Sequence, residues 1–76
     1  MSEYRRLRIN ERVRPGKLGT IPVLFVVWGH KKPRTGNRIQ IRLANPAGGS
    51  RKWDLEMPRE VAVEDIHDDG YVVMSQ

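Results

Sequence analysis

The residues best equipped for chemistry sit in one run, Trp28-Gly29-His30-Lys31-Lys32-Pro33-Arg34-Thr35-Gly36-Asn37-Arg38. Lys31, Lys32, Arg34 and Arg38 supply four fixed positive charges with no acid between them. Ammonium and guanidinium groups on long stems bind phosphate oxygens, and glycine lets a backbone approach a ligand closely. His30 adds a ring for hydrogen bonding or base stacking, and Trp28 adds a planar platform. The opposing reading is a solvated loop that binds nothing, because basic tracts carry little specificity. The absence of any acid in the run weakens it.

Arginines extend the pattern. Arg8, Arg12 and Arg14 alternate with Leu7, Ile9 and Val13, and Arg38 and Arg42 alternate with Ile39, Ile41 and Leu43. Guanidinium forks suit bidentate phosphate contacts and stacking. The same side chains also suit cross-strand pairing with Asp54, Glu56, Glu60 or Glu64. Exposed pairs contribute only ~0–1 kcal/mol and are readily exchanged for a ligand. Both uses stand open at this level.

Other constellations are weaker. Phe25 lies in the most apolar stretch and is expected in the core. Trp53 shares its parity with Leu55 and Met57 and is also expected to face inward. His67 lies near Asp65, Asp68 and Asp69, but acidic turns are ordinarily solvated, and no metal site is expected. No nucleophile elbow, phosphate-binding glycine loop, dinucleotide fingerprint or zinc-helix motif is present. The expectation is a chain that binds without catalysing and needs no cofactor.

Charge is divided along the sequence. Residues 1–52 hold thirteen Lys or Arg against two acids, and residues 53–76 hold one Arg against seven acids. So steep a division points to a polyanionic or acidic partner for the first part. At 76 residues the chain is one domain with a thin stability margin. It has no cysteine, which excludes disulfides and thiolate chemistry and favours a cytoplasmic setting. Its longest apolar run, Ile21 to Trp28, falls far short of the ~20 residues of a helical membrane span, so no membrane association is expected.

The elements that must position these groups are strands. Alternation predicts a first strand over Leu7–Arg14, ended by Pro15 and Gly16, after a flexible basic N-terminus at 1–6. Ile21–Trp28 is apolar on both faces and should be the most buried strand. Arg38–Leu43 and Trp53–Met57 are amphipathic. Val61–Ile66 reads either as strand or as one 3₁₀ turn. Asp68-Asp69-Gly70 is a turn, and Tyr71–Met74 a last strand.

Short strands punctuated by glycine and proline favour a small antiparallel barrel of about five strands over residues 7–74. The order of pieces resembles the SH3-like barrels, including Tudor and KOW domains. The resemblance rests on a strand before the Gly16/Gly19 loop, the long apolar strand, two hairpin-linked strands, the short acidic turn at Val63–Ile66 and a closing strand. Gly16-Lys17-Leu18-Gly19-Thr20-Ile21 is loosely KOW-like.

Two partners remain. One is nucleic acid, with RNA or a single strand favoured, because nothing resembles a major-groove helix. Its contacts would be Arg8, Arg12, Trp28, His30, Lys31, Lys32, Arg34, Arg38 and Arg42. The other is an acidic protein or a second copy of the chain, docked on the same basic surface.

Overall fold

The computed structural model describes residues 12–29, 31–46 and 53–76. They form six strands: β1 (Arg14–Leu18), β2 (Ile21–Val27), β3 (Arg38–Pro46), β4 (Trp53–Leu55), β5 (Arg59–Ile66) and β6 (Val72–Ser75). No helix occurs among the described residues. The expected strand over Leu7–Arg14 and the expected flexible segment 1–6 lie mainly or wholly outside them.

Five strands close into a barrel. β1 pairs with β2, β2 with β3, β3 with β5 and β5 with β6, all antiparallel, and β6 returns to β1 in parallel. The sheet is therefore mixed, which corrects the expectation of a purely antiparallel barrel. The reason is parity. Five strands running alternately up and down leave the first and last pointing the same way, so the closing seam must be parallel. β4 is an extra strand on the far end of β3, pairing Ala44 with Leu55 and Pro46 with Trp53.

The core is Phe25, Ile39, Ile41, Val61, Val63, Val72 and Met74, with Leu18, Val23, Val27, Leu43 and Ile66 packed around it. The Val61–Ile66 stretch is strand rather than 3₁₀ turn. Its alternation falters because the ladder slips by one residue between Val63 and Asp65. Glu64 is the extra residue, and after it Ile66 rather than Asp65 turns toward the core.

β1 corrects the reading of Pro15 and Gly16 as a stop. Pro15 lies one residue before the parallel ladder begins at Gly16 opposite Val72, so its missing N–H removes no bond from that ladder. Gly16 is buried where three strands converge. A Cβ there would stand 2.5 Å from the Val72 carbonyl oxygen and 2.9 Å from Phe25 Cε1. Only glycine allows β1 to lie that close. The strand turns into β2 through Gly19-Thr20, where Gly19 has φ +65° and Thr20 does not have a positive φ, as a two-residue type II′ hairpin needs.

β2 is not the most buried strand. Ile21 and Pro22 are exposed, and only Phe25 and Val26 are fully covered; β3 buries Ile39, Ile41, Arg42 and Ala44. The ladder between β2 and β3 explains part of this. It pairs Phe25 with Leu43 and Val27 with Ile41, and continued downward it would set Leu24 opposite Ala44 and Pro22 opposite Pro46. Those pairs do not form. Neither proline has an N–H to donate, and the wall opens there into an apolar slot lined by Pro22, Val23, Leu24, Leu43, Ala44 and Pro46.

Candidate nucleic-acid interface

The β2–β3 loop is fixed at its trailing end. Gly36 N–H donates to Val63 O at 2.9 Å, and Val63 N–H donates to Asn37 O at 2.8 Å. Asn37 N–H donates to Arg34 O at 3.1 Å, closing a local turn. At the leading end Trp28 N–H donates to Gln40 O at 2.9 Å. The loop is thereby held against β3 and β5 while Lys31, Lys32 and Arg34 remain exposed.

Lys31, Lys32, Arg34 and Arg38 line one open depression, together with Asn37 and Ile39. Of the predicted contacts, these four are the ones the fold gathers. Lys31, Lys32 and Arg34 form no ion pair with a described acid. Arg38 does: its Nε–H donates to Glu60 Oε1 at 2.5 Å, with both side chains about half exposed. Of the acids open to Arg38, the partner is thus Glu60 rather than Asp54 or Glu56, and Glu56 accepts from Arg59 at 3.1 Å.

Trp28 lies beside the depression. Its backbone bond places it level with Gln40, and the shared register puts Trp28, Arg38, Gln40 and Arg42 on the outer face of the sheet. Trp28 is 39% exposed. Arg42, expected as a solvent-facing ligand contact, is instead only 6% exposed, with its guanidinium over the Trp28 ring at 4.7 Å from the centroid. It underpins the platform rather than reaching outward. Arg12 is exposed, at the lead-in to β1. Arg8 and His30 lie outside the described residues.

Trp53 and Met57 depart from their expected positions. Trp53 is half-buried on β4, and Met57 is 83% exposed. Their parity was legible, but β4 pairs beyond the barrel wall, so its apolar side does not reach the core. Sequence reasoning gave Asn37 and Gln40 no role at this surface and named Glu60 only as one of four acids open to the arginines. Gln40 was detectable, since it alternates with Arg38 and Arg42. Glu60 could not be singled out among those acids, because its register opposite Gln40 depends on where β5 begins.

Asp54 and Glu56 lie at the far end of β3, whereas Glu64, Asp65, Asp68 and Asp69 fall at the same end of the barrel as the basic loop. β2 and β5 run toward that end, so the basic loop and the β5–β6 turn sit there side by side. In the turn, His67 lies 3.7 Å from Asp65 and meets Tyr71 edge-on, while Asp69 Oδ1 accepts from Tyr71 N–H at 3.0 Å. No cluster of three or more His, Cys, Asp or Glu suited to a metal ion occurs among the described residues. No family model matches the chain, and no curated protein or solved structure matches it.

Proposed function

We propose that this small barrel is a non-catalytic nucleic-acid-binding module that contacts a phosphate backbone through Lys31, Lys32, Arg34 and Arg38, with Trp28 as a stacking platform. The observation that carries the reading is the convergence of those four cations on one depression beside an exposed indole. The depression is lined by charge, one amide and an apolar side chain, a composition suited to following a polyanion. Aromatic stacking beside a cationic groove favours RNA or single strands over duplex. The element order, a five-strand meander with a closing seam, also supports the finer likeness to SH3-like barrels.

The test is binding of the protein to single-stranded RNA, single-stranded DNA and duplex at physiological ionic strength. Affinity in the range of roughly 10⁻⁴–10⁻⁶ M is expected, with the single strands bound more tightly. Absence of binding to all three at protein concentrations well above that range would rule the reading out.

A second reading is a protein-interaction module. The observation favouring it is the acidic β5–β6 turn at the same end as the basic loop, since like charge there repels a phosphate backbone. A partner bearing both signs of charge fits such an end.

A further inference from the structure

Arg38 differs from the other cations of the depression in how it is held. Its Nε–H is committed to Glu60, whereas the terminal Nη1 and Nη2 groups make no hydrogen bond among the described residues. Glu60 is opposite Gln40 in the ladder, and Arg38 is opposite Ala62, so carboxylate and guanidinium meet on a diagonal across two rigid strands. A guanidinium fixed through Nε still presents its two outer N–H groups as a fork matched to two oxygens of one phosphate. Lys31, Lys32 and Arg34 sit on the loop and offer point charge or an unfixed fork.

We propose that Glu60 is a positioning residue: it aims the Arg38 fork into the depression, and Arg38 there takes two oxygens of a phosphate group. The proposal rests on the nucleic-acid reading for its biological ligand, but its chemistry is that of any accessible phosphate. Its consequence is counterintuitive. Glu60 carries a negative charge beside an anion site, yet removing its side chain should weaken binding, because the loss of orientation outweighs the relief of a solvent-screened repulsion.

Two substitutions separate the effects. Glu60→Gln retains an oxygen that accepts from Arg38 Nε–H and removes the charge. Glu60→Ala removes both. Pyrophosphate and an oligothymidylate serve as separate probes, read by the Arg38 Nε–Hε NMR signal and by titration. The expected result is that Glu60→Gln binds each probe as well as the parent or better, while Glu60→Ala and Arg38→Lys each bind about three- to tenfold more weakly. Equal tightening by Gln and Ala would show that Glu60 only neutralises, and overturns the proposal. So does an Arg38 Nε–Hε signal unmoved by pyrophosphate. A shift with pyrophosphate but no binding of the oligonucleotide keeps the positioning role and removes the nucleic-acid reading instead.

Discussion

The Arg42 guanidinium lies 4.7 Å from the centroid of the Trp28 ring, and burial of the arginine fixes the aromatic platform from below. A desolvated cation–π contact is worth up to ~2 kcal/mol. Arg42→Lys retains the charge but loses the planar stack, so we expect destabilisation of about 1–2 kcal/mol. Trp28 emission should also change, read in a Trp53→Phe background. Unaltered emission and an unaltered denaturation midpoint together would show that the contact does not hold Trp28.

Gly16→Ala should be among the most damaging single-methyl changes in this chain. The added carbon meets a backbone oxygen at 2.5 Å, and a carbonyl in a paired strand has little room to yield. Overpacking costs ~1–3 kcal/mol, and we expect the upper end. Urea unfolding measures it; a loss below about 0.5 kcal/mol, the level of ordinary surface changes, contradicts the close seam.

Phe25→Ala should unfold the chain or leave it marginal. Phe25 is fully buried at the centre of the core. Such truncations cost ~3–5 kcal/mol, against a total that in small domains is only about 5 kcal/mol. A melting curve like the parent's would remove Phe25 from the core.

Replacing Lys31, Lys32 and Arg34 together by Gln should leave the melting temperature within a few degrees, since all three side chains are exposed. Nucleic-acid affinity should fall. The slope of log affinity against log salt should flatten by about 0.7–0.9 for each phosphate that the variant no longer neutralises. Full retention of both affinity and slope would move the footprint off the loop.

Hydrogen exchange should find the break between β2 and β3. Val26 faces Arg42 within the ladder, whereas Leu24 lies where the pairing has stopped. The Val26 amide should exchange far more slowly than that of Leu24. Equal protection would mean that the ladder continues past the two prolines.

The strands with clean period-two patterns were legible in the sequence. The first part of β3 lies close to where alternation placed it, and β2 and β6 lie close to where an apolar run and a turn signal placed them. The misreadings have physical causes. Pro15 and Gly16 look like punctuation because their usual role is in turns; here a strand margin and a three-strand convergence select them. Val61–Ile66 hid a strand because one bulge shifts its phase. In the candidate interface, the clustering of Lys31, Lys32, Arg34 and Arg38 could be read from their proximity in the chain. The burial of Arg42 against Trp28 and the choice of Glu60, among the acids open to it, as the partner of Arg38 could not, since both depend on contacts between distant strands. Charge division along the chain also misled: acids remote in sequence return to the same end of the barrel once β5 runs upward.

The parallel seam between β1 and β6 bears on time as well as space. Gly16 meets Val72, and Leu18 meets Met74, so the ring closes only when nearly the whole described chain is in place. The β1–β2 hairpin is local and forms early, but the seam carries the entropy of a long loop and gives no return until it is made. Refolding should therefore be slow for so short a chain, in the ~ms–s range of barrels dominated by non-local contacts. Until that step β1 and β6 are open edges, and the interval before closure is when the protein is most exposed to mispairing with another chain.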